Sequence, residues 1–144
     1  MKAIAMILLT IFMAKGCSQE SKNDLANAEI VYTANNRGFY QKIVIQNQQI
    51  SISNNRREGG NGTTTKISDA DWKELVGYFK TIQLDSLPTF KDPTQKRFYD
   101  GAPIANMKVT YKDKEYQTLD FDHGFPPIEI EKLVNKIVLL GKKE

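Results

Sequence analysis

The order of its hydrophobic patterns constrains the fold of this chain more than any other sequence feature. Two stretches of alternating apolar and polar residues, 29–52 and 104–121, are each followed by apolar residues at helical spacing. Alternating side chains lie on opposite faces of a strand, whereas residues three and four apart share one face of a helix. The sequence therefore predicts the order strands, helix, strands, helix.

The first half contains a β-hairpin followed by a long polar stretch. Apolar residues alternate with polar ones in 39–45 and again in 50–52, and Asn47-Gln48 is the predicted turn between them. The polar stretch 54–66 has no apolar residue. It is either a mobile loop or a hairpin tip whose later threonines continue a strand.

Helix start signals follow each set of strands. Ser68 and Asp71 form a pair like a capping box, and apolar residues of 72–79 follow helical spacing. A second hairpin, with a tight turn near Asp113-Lys114, precedes the last helix. Hairpin connections give antiparallel strands, and two amphipathic helices most simply cover one sheet face. We predict an α+β fold, in which an antiparallel sheet built from two hairpins packs two amphipathic helices on one face.

The N-terminus is typical of a lipoprotein signal peptide. Lys2 precedes the uncharged apolar run 3–14, and the only cysteine, Cys17, follows directly after Gly16. The run is too short for a spanning helix, which needs roughly 20 residues. We predict a signal peptide at 1–16, an acylated cysteine and polar tether at 17–29, and a single domain at 30–144. A plain signal peptide, or an unmodified buried thiol at Cys17, remains the alternative.

Charge and cysteine content exclude several classes of site. The formal charge is +3, and removal of Lys2 and Lys15 with the signal peptide leaves 18 basic against 17 acidic side chains. This near balance argues against a nucleic-acid partner. One cysteine allows no internal disulfide, and the spacing of Asp and His residues fits no metal motif. We therefore expect no metal and no cofactor.

The segment FDHGFPP, residues 121–127, contains the only histidine. A catalytic His123 needs a carboxylate that orients its ring, but adjacent strand residues such as Asp122 point to the opposite face. The glycine and the two prolines suit a corner that leads into the last helix. We favour a structural corner over catalysis, with ligand contact as a further possibility, and we expect no catalytic residue.

Several loop residues are candidates for binding. The two arginines of the polar stretch can engage carboxylates or lipid phosphates, but we favour a solvated loop tip that keeps the sheet edge soluble. Phe98 and Tyr99, beside a turn, are candidates for an exposed aromatic patch, although we favour rings that cap the end of the core. The complete set of possible binding residues is Arg56, Arg57, Arg97, Tyr99, Asp100, Asp122 and His123.

Five short motifs occur in order along the chain: AKGC before the cysteine, RGFY, SDADW, FYDGAP and FDHGFPP. Together with the closing amphipathic helix, they resemble small envelope lipoproteins of Bacteroidetes. The resemblance implies a cell-envelope location for the protein. It implies no activity, cofactor or active site.

These observations lead to a ranked set of functional hypotheses. The first is a lipid-anchored, non-enzymatic domain of the bacterial envelope that binds a protein or another envelope component. Its expected location is the outer membrane, on the periplasmic or surface face, with fatty acyl chains such as palmitate as the anchor. One alternative is an enzyme or ligand-binding protein with a pocket around Asp100, Asp120, Asp122 and His123. Another is an enzyme inhibitor that uses the loop 56–62.

Overall fold

A computed structural model describes residues 24–58 and 62–142, which form an antiparallel sheet and two α-helices. The predicted signal peptide and Cys17 lie outside the described residues. The seven strands of the described region are β1 (Ala28–Asn35), β2 (Tyr40–Gln46), β3 (Gln49–Ser53), β4 (Thr63–Lys66), β5 (Ile104–Tyr111), β6 (Lys114–Gln117) and β7 (Phe121–Asp122). The α-helices are α1 (Asp69–Lys80) and α2 (Glu131–Leu140). Short 3₁₀ helices occur at Leu25–Asn27, Arg56–Glu58, Leu84–Thr89, Lys96–Tyr99 and Ile128–Ile130.

The strands are ordered β4-β3-β2-β1-β5-β6, and the short β7 pairs with the beginning of β5. Every second residue of the central strands is buried, and these residues form one core with the buried residues of both helices. The predicted α+β fold, with helices on one face of an antiparallel sheet, is therefore confirmed. Polar and partly exposed side chains occupy the other face.

Two hairpins turn through pairs of residues with positive φ. Asn47 (φ 55°) and Gln48 (φ 60°) join β2 to β3, and Lys112 (φ 52°) and Asp113 (φ 65°) join β5 to β6. Positive φ at both central residues matches the right-handed twist of the strands. The first turn lies where the sequence predicts it, whereas the second begins one residue earlier than predicted.

The polar stretch after β3 is a hairpin tip, because its threonines form β4 against β3. Gly62 is required at the end of this tip, since a Cβ there would overlap the carbonyl of Ile52. Residues 59–61 lie outside the described part of the chain.

Helix α1 begins at its predicted cap. The Ser68 hydroxyl accepts a hydrogen bond from the Asp71 N–H at 3.1 Å. Lys136 of α2 then pairs with Asp71 at 2.8 Å and with Glu74 at 2.7 Å. This helix latch, formed by Lys136, Asp71 and Glu74, holds the two helices side by side.

The folded domain begins earlier than the predicted boundary at Ile30. Leu25 is fully buried, and β1 already begins at Ala28. The Asp24 N–H donates a hydrogen bond to the Tyr111 hydroxyl at 3.0 Å. Residues 24–29 therefore belong to the domain rather than to the tether, because an apolar residue in this polar stretch fills the core.

Candidate functional site

Asp122 is the centre of a buried polar cluster at the beginning of β5. Its carboxylate accepts hydrogen bonds from the Thr94 hydroxyl (2.6 Å), the Lys96 N–H (2.5 Å), and the backbone N–H (3.0 Å) and Nη1 (3.1 Å) of Arg97. Arg97 also pairs with Asp92 at 2.8 Å. The Asp122 side chain is fully buried, and these four donors satisfy it.

The electrostatics of this cluster follow from the same contacts. Burial alone would raise the pKa of Asp122, but hydrogen bonds from Thr94, Lys96 and Arg97 outweigh burial and lower it. Burial likewise opposes the Arg97 charge, yet the bonds to Asp92 and Asp122 raise the pKa of Arg97. Both groups are therefore ionised at neutral pH. They hold each other in place and leave the carboxylate no free oxygen for a ligand.

The cluster fixes a short 3₁₀ helix whose aromatic residues point to solvent. Asp122 accepts from the first N–H groups of the helix Lys96–Tyr99, which have no partner within the helix itself. The Arg97 guanidinium lies 4.5 Å from the centre of the Phe98 ring. The Tyr99 ring packs over Gly101, where an added Cβ would lie 2.9 Å from it. Both aromatic side chains are exposed, but each contacts a neighbour: Phe98 contacts the partly buried Arg97, and Tyr99 contacts Gly101.

Exposed apolar side chains gather around this helix. Seven large hydrophobic residues are exposed in the described part of the chain, and five of them belong to the segments 98–104 and 125–128. We call these five residues the corner surface: Phe98 (71% exposed), Tyr99 (72%), Ile104, Phe125 and Ile128 (78%). The two segments are linked through their neighbours: Ile104 pairs with Asp122, Asp122 bridges to Phe125, and the Lys96 ammonium lies 4.1 Å above the Phe125 ring. Concentrated apolar exposure of this kind is typical of protein interaction sites.

His123 faces away from Asp122 and contacts β1. Its Nδ1 lies 2.8 Å from the hydroxyl of Tyr32, whose side chain is fully buried. Burial raises the pKa of Tyr32, and burial together with the charge of Lys142 lowers the pKa of His123. Both groups are therefore neutral at neutral pH, and one hydrogen bond joins the Tyr32 hydroxyl to His123 Nδ1, with its direction set by the imidazole tautomer.

The backbone and the ring of His123 make further contacts within the domain. Its N–H donates to the Pro103 carbonyl at 3.0 Å, and its ring packs 5.3 Å from the Phe39 ring. His123 and Asp122 share no hydrogen-bond partner. These contacts fit the interpretation of FDHGFPP as a structural corner.

Two other candidate residues reach the same end of the sheet from distant parts of the sequence. The Arg56 guanidinium donates to the Asn36 carbonyl at 2.5 Å and lies 5.5 Å from the centre of the Tyr40 ring. Asp100, at the end of the 3₁₀ helix, lines a shallow depression of about 440 Å³ with Asn36, Arg37, Gly38 and Phe39. Arg57 is exposed beside Arg56.

The four residues of the predicted pocket have separate surroundings. Asp122 is enclosed by its donors, His123 contacts Tyr32, Asp100 lines the depression, and Asp120 accepts from the Asn106 side chain at 3.1 Å. Within residues 24–58 and 62–142, no group of three or more His, Cys, Asp or Glu side chains is arranged to hold a metal ion.

Sequence reasoning identified Arg97, Tyr99, Asp100, Asp122 and His123 but missed several of their neighbours. Nothing in the sequence indicates that Tyr32 contacts His123, because a tyrosine in an alternating strand is usually a core residue. The exposure of Ile104, Phe125 and Ile128 depends on which elements cover the corner. The sequence indication of the corner surface was that aromatic residues stand next to turn residues.

The chain matches no protein-family model, no curated protein and no solved structure. Among the described residues, no helix has the length and apolar content needed to cross a membrane.

Proposed function

We propose that this protein is a lipid-anchored domain of the bacterial cell envelope that binds another protein through its corner surface. The observation that supports this function is the concentration of exposed apolar side chains on a segment fixed by Asp122. Aromatic side chains dominate the energetics of protein interfaces, and rigid positioning lowers the entropy lost on binding. The binding role is non-enzymatic.

The buried ion pair explains why the surface is suited to binding. Arg97 is held by two carboxylates and in turn supports the Phe98 ring. The surface is therefore preorganised, and a partner does not have to order a mobile loop.

The proposed anchor is an acylated Cys17, seven residues before Asp24. At about 3.5 Å per residue, a tether of this length spans at most about 25 Å. Metabolic labelling with a palmitate analogue tests it, with a Cys17→Ser variant as the control. Label on the wild-type chain that is absent from the variant supports the anchor, and equal labelling of both contradicts it.

Site-specific photo-cross-linking in cells tests the binding function. A photoreactive amino acid is placed at Tyr99 in the corner surface and, as a matched control, at Leu139, which is 52% exposed on α2. We expect one protein to be captured at position 99 and not at position 139. Capture of the same set of proteins from both positions would contradict the proposal.

A second pair of variants separates binding from folding. Tyr99→Ser and Leu139→Ser each remove one exposed apolar side chain, so each changes the free energy of unfolding by less than about 0.5 kcal/mol. With the photoreactive group at Phe98, Tyr99→Ser should lower capture of the partner, whereas Leu139→Ser should leave it unchanged. Unchanged capture in Tyr99→Ser would show that the corner surface contributes nothing.

A further inference from the structure

A groove of about 950 Å³ lies between the sheet and the ends of both helices, and it shares no lining residue with the corner surface. Its floor is the core-facing side of β3, and its walls are the beginning of α1 and the end of α2. We call it the helix-end groove. Its volume lies in the range of small-ligand sites. The lining residues that carry the argument are Gln41, Ile50, Ile52, Thr63, Thr65 and Gly141.

The groove is open because neither helix covers the β4 side of the sheet. β4 is an edge strand, and all four of its residues are exposed. Thr63 and Thr65 pair with Ile52 and Ile50, so their side chains lie on the same side of the sheet as the core. The core-facing side of the sheet therefore continues beyond the helices, with isoleucines as its floor and threonine hydroxyls at its edge.

Gln41 is a polar residue on the apolar side of β2. Alternation places it on the same side as Ile43 and Ile45, and it is only 7% exposed. Gly141, at the end of α2, lies over it, because an added Cβ there would be 3.3 Å from Gln41 Nε2 and 2.6 Å from Ile43. The missing Cβ thus lets the helix end lie directly on the strand, beside the Gln41 amide.

The Gln41 amide has no hydrogen-bond partner among the residues that the structure describes. Every fully enclosed side-chain nitrogen or oxygen of those residues is bonded, so the Gln41 amide must have access to the groove. A buried polar group without a partner costs free energy, and an apolar side chain at this position would avoid that cost. The presence of an amide here needs an explanation outside the packing of the core.

The chemistry of the amide selects what can occupy the groove. A glutamine side chain offers both N–H donors and a carbonyl acceptor. A carboxylate only accepts, so it would leave the carbonyl unpaired. In an extended peptide, the N–H and the C=O of one residue point to the same side, so that residue can bond to both groups of the amide.

We propose that the helix-end groove binds a short, extended peptide. One residue of the peptide bonds through its backbone to Gln41, and an apolar side chain of the peptide contacts Ile50 and Ile52. Backbone bonds supply affinity in this mode of recognition, and the apolar floor supplies the preference for a side chain. The site is independent of the corner surface, so the proposed function and this inference stand or fall separately.

Affinity selection from a peptide library tests the proposal. The full-length Cys17→Ser chain is incubated with a pooled library of N-acetylated tetrapeptide amides with every natural side chain at each position. Mass spectrometry identifies the retained peptides. Gln41→Leu removes the amide and leaves an apolar side chain of similar size. Gln46→Leu makes the same change at the exposed end of the same strand and is the matched control.

We expect the starting chain and Gln46→Leu to retain the same peptides, and Gln41→Leu to retain about tenfold less of them, because bonds to a desolvated amide are lost. Replacing the amides of a retained peptide by esters, one at a time, should weaken binding most at one position, where the lost N–H faces Gln41. Equal retention by the starting chain and Gln41→Leu, or retention of no peptide, would overturn the proposal.

Urea unfolding separates a role in binding from a role in folding. Because the Gln41 amide has no partner in the described structure, Gln41→Leu should leave the urea midpoint unchanged or raise it. A lower midpoint would assign the amide to folding and would overturn the proposal.

A fatty acid is the competing occupant, because it too combines an apolar chain with a polar end. Decanoate and a retained peptide are added separately to the isotopically labelled chain, and the side-chain N–H signals of Gln41 are followed by NMR. Larger shifts with the peptide than with decanoate support the proposal. Shifts with decanoate that the peptide does not cause would overturn it in favour of an amphipathic acid.

Discussion

The two ends of β5 differ in what they do with their aromatic and charged residues. At the Ile104 end, the rings of Phe98 and Tyr99 are exposed. At the Tyr111 end, the Tyr111 ring is buried edge-on against Phe79, and residues 112–115 alternate basic and acidic charges. The Tyr111 end buries the ring of Tyr111, whereas the Ile104 end exposes the rings of Phe98 and Tyr99 to solvent.

This difference shows where stability and binding are separated in the molecule. The exposed rings of Phe98 and Tyr99 bury little apolar surface, so hydrophobic burial alone does not fix their positions. Buried polar contacts of Asp122 do this at the Ile104 end, whereas at the Tyr111 end hydrophobic packing is sufficient. The two ends should therefore respond differently to substitution, and so should the buried cluster and the exposed helix latch.

The largest effect is expected for Asp122→Ala. It removes the acceptor of four hydrogen bonds and leaves the buried Arg97 charge only partly compensated, so the free energy of unfolding should fall by about 3–5 kcal/mol. Glu74→Ala in the helix latch is the control, and because its side chain is 49% exposed it should cost less than about 1 kcal/mol. Urea unfolding measures both. Similar losses in the two variants would show that Asp122 has no special role.

A smaller effect is expected for Tyr32→Phe. The variant removes the hydrogen-bond partner of His123 Nδ1 in a part-buried site and should lower the free energy of unfolding by about 1–2 kcal/mol. Tyr111→Phe removes a hydroxyl at the other end, where water can replace it as the acceptor for the exposed Asp24, and should cost less than about 0.5 kcal/mol. Tyr32→Phe should therefore have the lower urea midpoint of the two variants. A lower midpoint for Tyr111→Phe would contradict this prediction.

Acid should weaken the Ile104 end through His123. Burial and Lys142 depress the folded pKa of His123 below its ordinary value of 6.5, so the unfolded chain binds the proton first. Stability should therefore fall as the pH drops from about 7.5 through 6.5 towards the folded pKa. His123→Gln should remove this part of the pH dependence in urea unfolding. An identical pH profile for the variant would mean that the imidazole stays as accessible to protons when folded as when unfolded.

The smallest effects are expected at two aspartates with positive φ, one at each end. Asp100 (φ 60°) and Asp113 (φ 65°) adopt a conformation that glycine accepts without steric cost. Asp100→Gly and Asp113→Gly should each raise the free energy of unfolding by about 0.5 kcal/mol. Only Asp100→Gly should alter capture of the partner at Tyr99, because only Asp100 lies beside the corner surface. An equal change in capture for Asp113→Gly would contradict the distinction between the two ends of β5.

Local signals predicted the fold well because its elements are locally encoded. The Ser68 cap, the Asn47-Gln48 turn and the alternation of β2 depend on neighbouring residues, and all three occur as predicted. The start of the domain could not be predicted in this way, because Leu25 is buried by the contact of its 3₁₀ helix with α1.

The candidate site was predictable only in part. Asp122 and His123 were placed correctly on opposite faces of their strand, since adjacent strand residues alternate. Their partners were not predictable, because Thr94 and Arg97 lie more than twenty residues from Asp122 and Tyr32 lies ninety-one residues from His123. Nothing in the local sequence joins such segments; the pairing of β5 with both β1 and β7 brings His123 to Tyr32, and the contact of β7 with the helix Lys96–Tyr99 brings Asp122 to Arg97.

Photo-cross-linking from the two ends of β5 in the same cells tests the central claim most directly. One chain carries the photoreactive group at Tyr99 and the other carries it at Lys112, beside the proposed tether. We predict that a single protein is captured at position 99 and is absent at position 112. Equal capture at both positions, or capture at position 112 alone, would contradict the assignment of the binding site to the corner surface.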